Sequence, residues 1–284
     1  MNKNYILLPV FNDWSSLDKV LKILNDNFKK NKSVNHIIII NDASTSKVSF
    51  NKNYNYFASI KILTLKKNVG SQKAIFFGLK YLQEKLKKHN DESVISILDS
   101  DGEDNPSKLY ELIKLAKQKK DFFIFASRKK RTEGFLLRLL NLIRLFLTYI
   151  LIGRYINHGN FSSFSSSILP KLLVNNNLYL AYSSGILKNY DKFHFLKVKK
   201  NKRFFGKSKV NLSFLLKHSI NIISVFYLTV LIRSAVILFI IFSLSENNYL
   251  NILSIISFFV LNIFLLYINF FLKPKKTNLS IIKN

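Results

Sequence analysis

The chain has 284 residues, 48% of them hydrophobic, and carries 44 Lys or Arg against 16 Asp or Glu, a formal charge of +28. This composition excludes an intrinsically disordered protein and predicts a phosphate-rich partner: nucleic acid, an anionic membrane or a nucleotide substrate. The absence of cysteine excludes disulfides, thiolate metal sites and a cysteine nucleophile. The apolar stretch after Met1 is too short for a secretory signal, so we expect any catalytic part to stay in the cytoplasm.

Five short apolar runs in the first 130 residues predict buried parallel strands: NYILLPV, HIIII, IKILTL, VISIL and FFIFA. Segments with apolar residues at helical spacing lie between them. Their stripes are Leu17, Val20, Leu21, Leu24 and Phe28; then Ala74, Phe77, Tyr81 and Leu82; then Leu109, Leu112, Ile113 and Ala116. Alternating strands and helices predict an open, Rossmann-like α/β sheet, whose ligands bind beyond the carboxyl ends of the strands. The polar clusters PVFND, NDAST, KKNVGS, DSDGED and SRKKR follow the five strands, so we expect them to meet in one crevice.

The fourth polar cluster concentrates acidic side chains in a basic chain. Asp99, Asp101 and Glu103 occupy alternate positions there. Carboxylate oxygens suit Mg²⁺ or Mn²⁺, which one or two carboxylates hold together with substrate phosphates. Asp99 and Asp101 would be the ligands, with Glu103 as a helper. The alternative is that acids here merely favour the dipole of the next helix, as we expect for Asp104 before an N-cap at Asn105, and the spacing alone leaves both open.

Residues 135–153, FLLRLLNLIRLFLTYILIG, are apolar except for Arg138, Asn141 and Arg144 at helical spacing. An interfacial helix and a helix packed inside the catalytic domain both fit this pattern. Two longer stretches, 219–244 and 249–272, each exceed the roughly 20 residues that cross a bilayer. The short link SENN between them predicts a transmembrane hairpin.

Lysines flank both outer ends of the hairpin, which predicts that both ends are cytoplasmic and that the chain is a multi-pass protein of the cytoplasmic (inner) membrane. Arg233 would snorkel to the interface if residues 212–226 lie along it and the span begins near Phe226. Two core helices of a soluble protein fit less well, because neither segment has a polar face. The predicted organisation is an α/β domain over 1–217, divided at residue 130, followed by a hairpin over 219–272 and a basic tail over 273–284.

In order, the polar loops resemble the motifs of the family 2 glycosyltransferases, which have the GT-A fold. PVFND at 9–13 resembles P-V-Y-N-E, NDAST at 41–45 resembles D-D-G-S-T, and NVG at 68–70 with Ala74 resembles N-x-G-x-x-x-A. DSD at 99–101 falls on the D-x-D motif, and EDNP follows where Q-D-P-P is common. The resemblance implies a GT-A catalytic domain over 1–217, with its nucleotide-sugar half at 1–130 and its acceptor half at 131–217, followed by the two-helix hairpin.

The C-terminal half is similar to the polyprenyl-phosphate branch of that family, which includes dolichol-phosphate mannose synthase. RFFGKSK at 203–209 resembles its R-x-x-G-x-S-K, and a membrane hairpin follows there too. The resemblance implies an inverting, metal-dependent enzyme that moves a sugar from a nucleotide-sugar to polyprenyl (undecaprenyl) phosphate in the membrane, for cell-envelope glycan synthesis.

The resemblance also assigns residues. Catalytic roles fall on Asp99, Asp101, Arg203 and Lys209, with Mg²⁺ or Mn²⁺ at Asp99, Asp101 and Glu103. The expected nucleotide-sugar contacts are Pro9, Asp13, Asp42, Asn68, Gly70, Lys73, Asp99, Ser100, Asp101, Arg128, Arg203 and Ser208. Of these, Asp13 and Asp42 would hold the base and ribose, and Arg203 and Lys209 the diphosphate.

Some positions depart from the family pattern. The segment HGNFSSFSSSIL at 158–169 lacks the basic residue expected after its aromatic, and Asn41 replaces an acid. His158 fits either a general base for a hydroxyl acceptor or a structural histidine. A hydroxyl acceptor on a glycolipid or saccharide, and a non-catalytic membrane protein that binds nucleotide-sugars or anionic surfaces, therefore stay as alternatives. Nucleic acid is not an expected partner, because the lysines are spread widely; the sugar, the nucleotide and any oligomer are left open.

Overall fold

The structure is a computed structural model, and it describes residues 3–29, 33–51, 53–87, 92–128, 135–156, 158–206, 212–274 and 282–283. Within those residues, eight strands form one mixed sheet in the order β7-β5-β6-β4-β1-β2-β3-β8. The strands are β1 (Lys3–Val10), β2 (Val34–Asn41), β3 (Ser59–Leu65), β4 (Ser93–Ile97), β5 (Phe123–Arg128), β6 (Ser162–Ser165), β7 (Phe193–Val198) and β8 (Ile282–Lys283). The described helices are α1 (Trp14–Phe28), α2 (Ser71–Lys87), α3 (Leu109–Gln118), α4 (Phe135–Ile152), α5 (Leu169–Leu172), α6 (Tyr182–Asn189), α7 (Leu212–Val225), α8 (Tyr227–Leu244) and α9 (Asn248–Phe271).

Strands β1 to β4 confirm the predicted parallel sheet. β1 lies between β2 and β4, β3 lies beyond β2, and all of these pairs are parallel. Helices cover both faces, which is why the strands are apolar without alternation. α1 and α3 pack on the face that carries Ile6 and Leu8, and α2 packs on the face that carries Leu7 and Ile40. As predicted, Asn105 caps the turn before α3, since its Oδ1 accepts from Ser107 N at 3.1 Å.

The second half of the sheet differs from the prediction. β6, which was not predicted, inserts between β4 and β5 and runs antiparallel to both, so β5 keeps the predicted direction of β1 to β4 but does not pair with β4. β7 then pairs with β5 in parallel. Sequence patterns missed β6 because it is rich in serine. Its hydroxyls are nevertheless bonded inside the protein, Ser163 to Ser96 at 2.7 Å and Ser162 to Tyr182 at 2.8 Å.

The C-terminal helices form a separate apolar assembly. α8 and α9 are each long and apolar enough to cross a membrane. The break between α7 and α8 falls at Phe226, where the sequence predicted that a span begins. Asn247 caps α9 by accepting from Tyr249 N and Leu250 N. Only residues 245–247 separate α8 from α9, and the two helices pack against each other as a hairpin.

Helix α4 contacts α7 and α8, which places it with the hairpin helices rather than under the sheet. It exposes a row of large apolar side chains, including Leu142, Phe146 and Tyr149. Arg233 of α8 has a partner that the snorkelling prediction missed. Its Nη1 donates to Ile150 O at 3.0 Å, which satisfies a carbonyl at the end of α4.

Candidate active site

The acidic loop that follows β4 is fixed against the end of β1. The Ser100 hydroxyl is buried and donates to Pro9 O at 2.7 Å. Leu98 N donates to Leu7 O at 3.1 Å, which extends the β1–β4 pairing to the start of the loop. Ser100 and Pro9, both predicted to contact the nucleotide-sugar, thus set the position of Asp99 and Asp101 at the carboxyl edge of the sheet.

Arg203 joins two acidic loops of the site. Its Nη2 lies 2.5 Å from Asp13 Oδ2, and its Nη1 lies 3.4 Å from Asp101 Oδ2. The three side chains are each about one-fifth exposed or less. Nε donates to Phe205 O at 2.9 Å, which holds the guanidinium plane. The structure therefore brings three of the predicted site residues into one charged cluster.

The segment that carries Arg203 is strapped along the acidic loop. Phe204 N donates to Asp101 O at 3.0 Å, and Asn201 N donates to Glu103 O at 2.9 Å. The Phe204 ring lies directly over Gly102, whose φ is +80°. Glycine is required at this position for two reasons. Any other residue would be strained at this backbone angle, and its Cβ would overlap the Phe204 ring.

We expect Gly102→Ala to be more damaging than Gly70→Ala, which is its matched control. Both glycines have a positive φ, but a Cβ at Gly70 would meet nothing within 4 Å. Both variants should lose about 1 kcal/mol to backbone strain. Only Gly102→Ala should also displace Phe204 and with it Arg203. Thermal melting of both variants checks this, and an equal loss of stability would contradict it.

The charge balance of the loop fits a divalent cation. Burial, followed by the nearby Asp99 carboxylate, raises the pKa of Asp101 to about 6, and the Arg203 guanidinium opposes only part of this rise. Among the described residues no three His, Asp or Glu side chains are grouped to hold a metal. Two carboxylates at the end of β4 still fit Mg²⁺ or Mn²⁺, which take their other oxygens from water and substrate phosphate. Asp99 and Asp101 are the residues that would hold the ion.

Glu103, the predicted third metal residue, is engaged elsewhere. Its carboxylate forms an ion pair with Lys200, and both side chains are largely buried. Glu103 N also donates to Asp101 Oδ1 at 2.9 Å, which steadies the carboxylate of that residue. Glu103 would have to leave Lys200 to contact an ion, so its backbone is the part that serves the site in this structure.

Asp42, predicted to hold the base or ribose, binds the loop after β3. Its two oxygens accept from Val69 N and Gly70 N, both at 2.8 Å. Burial raises the pKa of Asp42, and these two hydrogen bonds oppose the rise. Asn68 and Gly70 are exposed in the same loop. Asp42 therefore shapes the loop that presents Asn68.

Lys73 lies in the first turn of α2. Its ammonium sits 4.7 Å from the centroid of the Tyr179 ring. Burial, followed by the positive charge of Lys67, lowers the pKa of Lys73. A partly desolvated cation next to an aromatic ring is a suitable neighbour for an anionic ligand.

Asn12 is a residue of the site that sequence reasoning did not select. Its Oδ1 accepts from Thr45 N at 2.8 Å and from Ser46 N at 3.0 Å, and its Nδ2 donates to Thr45 Oγ1. These bonds tie the loop after β1 to the loop after β2. The signal in the sequence is the residue type, because asparagine tolerates the positive φ of +55° found here.

The side chains of three predicted site residues lie outside the part of the chain that the structure describes. Ser208 and Lys209 lie outside the described residues. Arg128 ends β5, and only its backbone is described. Their roles stay predictions.

The sequence and the fold are similar to those of known proteins. The sequence profile described as Glycosyl transferase family 2 matches residues 5–188. No curated protein matches the sequence. The structure of Staphylococcus aureus TarS 1–349 in complex with UDP-GlcNAc superposes with a TM-score of 0.52 at 15% identity, over 91% of this chain and 81% of that chain.

A second similar structure is glucosyl-3-phosphoglycerate synthase from Mycobacterium tuberculosis with Mn²⁺, UDP-glucose and phosphoglyceric acid. It superposes with a TM-score of 0.53 at 14% identity, over 82% of this chain and 79% of that chain. At such identities the likeness concerns the fold. The GT-A fold expected from the sequence is therefore confirmed.

Proposed function

Because this chain belongs to glycosyltransferase family 2, we propose that it moves a sugar from a nucleotide-sugar to polyprenyl phosphate at a membrane, with inversion of the anomeric configuration. The observation that carries the proposal is the contact of Arg203 with both Asp13 and Asp101. It brings the R-x-x-G part of the lipid-phosphate motif against the D-x-D loop, in a chain that continues into an apolar helical assembly.

A UDP-sugar is the donor that the neighbours favour. The S. aureus structure contains UDP-GlcNAc, and the mycobacterial one contains UDP-glucose with Mn²⁺. Both ligands belong to those proteins, and they support the same donor class here. The shape of the pocket selects the sugar, and a panel of labelled UDP-sugars identifies it.

The chemistry requires a diphosphate to leave while the anomeric carbon becomes cationic. Asp99 and Asp101 would hold Mg²⁺ or Mn²⁺, which, when bound, neutralises charge on the leaving diphosphate. Arg203 adds a fixed positive charge that is already oriented by Asp13 and by Phe205 O. A preoriented charge stabilises the transition state without reorganising during the reaction.

The acceptor needs no catalytic base if it is a phosphate. A lipid phosphate is ionised near neutral pH, so its oxygen attacks directly from the face opposite the leaving group. His158 does not compete for this role. Its ring packs against both Phe125 and Phe195, with centroid distances of 5.1 and 4.7 Å, and burial lowers its pKa, which supports the structural interpretation.

The apolar helices supply the membrane contact of the proposal. Few residues of α8 and α9 are buried within the chain, and Phe239, Leu244 and Tyr249 are each more than 70% exposed. Exposed apolar area of this extent needs a partner, and a bilayer matches its length. We place the hairpin in the cytoplasmic membrane with the catalytic domain and both termini on the cytoplasmic side. The exposed row of α4 would then lie along the interface.

A hydroxyl acceptor on a glycolipid or saccharide is the second candidate. The observation in its favour is β6, where buried serines stand in place of the basic residue expected for a phosphate acceptor. A non-catalytic binding protein is disfavoured, because the chain retains both acids of the D-x-D motif, Asp99 and Asp101, and Arg203 contacts Asp101.

An acceptor assay on isolated membranes separates these candidates. Membranes that contain the full chain are incubated with a panel of labelled UDP-sugars and either undecaprenyl phosphate or a glycolipid with free hydroxyls, and the lipid fraction is analysed by mass. We expect an undecaprenyl-phosphate sugar that disappears when EDTA removes the metal and returns when Mn²⁺ is added. Label only on the hydroxyl acceptor would replace the first candidate with the second. Metal-independent transfer would overturn the role given to Asp99 and Asp101.

A further inference from the structure

Asn160 lies opposite Asp99 across the β4–β6 ladder. The antiparallel register pairs Ile97 with Ser162, and continuing it by two residues brings Asn160 to Asp99. The Asn160 amide donates to both carboxylate oxygens, at 3.1 Å to Oδ1 and 3.4 Å to Oδ2. An amide donor orients a carboxylate without adding a positive charge, which distinguishes this contact from the one that Arg203 makes with Asp101.

Two buried hydroxyls hold Asn160 in turn. Ser162 Oγ donates to Asn160 O at 2.9 Å, and the Tyr182 hydroxyl lies 2.8 Å from Ser162 Oγ. Since the single proton of Ser162 goes to Asn160, the Tyr182 hydroxyl must donate to Ser162. Both residues are fully buried, and burial raises the pKa of Tyr182, so its proton stays in place.

Further contacts connect Tyr182 to helix α7. Tyr182 begins α6, and its backbone N–H donates to Gln72 Oε1 at 2.9 Å. Gln72 Nε2 lies 3.4 Å from His218 Nδ1 on α7. The contacts thus run from a helix next to the hairpin to one of the two acids of the D-x-D loop.

We propose that Asn160, Ser162 and Tyr182 are positioning residues that hold the Asp99 carboxylate for a divalent cation. The inference rests on the proposed function for the identity of the ion. Asp99 and Asp101 lie close enough to repel each other, and the Asn160 amide opposes a rotation of the Asp99 carboxylate away from its present position. Partners that orient metal-binding side chains in this way contribute about 10- to 100-fold to metal affinity or activity in other proteins.

Direct binding of Mn²⁺ tests the proposal without requiring turnover. The full chain in detergent is titrated with Mn²⁺, alone and with UDP, and free Mn²⁺ is followed by electron paramagnetic resonance. Asn160→Ala should raise the dissociation constant about tenfold or more, and Ser162→Ala and Tyr182→Phe by a smaller factor of at least about threefold. Ser163→Ala is the matched control. It removes a buried hydroxyl from the same strand, but its partner is Ser96, so Mn²⁺ affinity should stay within about twofold while thermal stability falls comparably to Ser162→Ala.

Activity measured against Mn²⁺ concentration gives the second readout. If Asn160 only positions Asp99, saturating Mn²⁺ should restore most of the kcat of Asn160→Ala, whereas a loss of folded protein would lower kcat at every concentration. Equal Mn²⁺ affinity in wild type and variants, an equal shift in Ser163→Ala, or no Mn²⁺ binding by the wild type with UDP would each overturn the proposal. Normal Mn²⁺ binding without sugar transfer to undecaprenyl phosphate would instead overturn the proposed function and leave this inference intact.

Discussion

Replacing Asp101 with asparagine is expected to lower the rate of sugar transfer about 1,000-fold or more. The carboxylate is lost as a metal ligand, and the stabilisation that a metal gives to a leaving diphosphate amounts to several kcal/mol, at about 1.4 kcal/mol for each tenfold in rate. The variant should remain folded, because asparagine has the same shape and relieves the repulsion from Asp99. Initial rates with saturating UDP-sugar and Mn²⁺, together with thermal melting, give the measurement.

Glu103→Gln provides the comparison for that variant. It neutralises a carboxylate two residues away that pairs with Lys200. Its effect should be smaller by at least about tenfold in rate, since the backbone N–H that supports Asp101 is kept. Losses of equal size would show that Glu103 leaves Lys200 to bind the ion, as the sequence spacing suggested. Full activity of Asp101→Asn would remove the metal from the mechanism.

The central sheet was predictable because its physical signals are local. β1, β2 and β4 are continuous apolar runs, and α1 and α3 bury the stripes that the spacing selected. β6 was not predictable, because its signals are not local. Its serines look like loop residues, and the partners that make them acceptable in the core, Ser96 and Tyr182, lie 67 and 20 positions away.

In the site, too, the sequence identified residues but did not show which of them contact each other. Motif order selected Asp13, Asp101 and Arg203, but their meeting depends on a return of the chain over 190 and 102 positions, which no local pattern encodes. Asp42 was selected as a ligand contact, whereas its oxygens bind loop amides, because the conformation of the loop after β3 decides what the carboxylate reaches.

Arg203 was predicted from its motif, but its contacts with Asp13 and Asp101 were not. Its replacement tests whether the segment that carries it has a chemical role. Arg203→Gln should lower kcat by about 100- to 1,000-fold, the range seen when one preorganised donor is removed from a transition state. Arg203→Lys should recover only part of this loss, because an ammonium does not bridge Asp13 and Asp101 as a planar guanidinium does. Single-turnover rates of the purified full chain with bound donor are the measurement.

Further variants test whether Arg203 acts on the chemical step or only on the structure of the site. Arg154→Gln removes an arginine that donates to Leu187 O near the helical assembly, so it should leave kcat within about twofold while its stability changes comparably. Asp13→Asn, made alone and together with Arg203→Gln, closes a double-mutant cycle across the 2.5 Å pair. If Arg203 acts only by holding Asp13 in place, the double variant should transfer sugar no more slowly than Arg203→Gln. The kcat of each variant should then fall only as far as its thermal stability falls. If the guanidinium also faces the diphosphate, as we expect, a large loss of kcat should persist in Arg203→Gln even at full folding, because the positive charge beside the leaving group is gone.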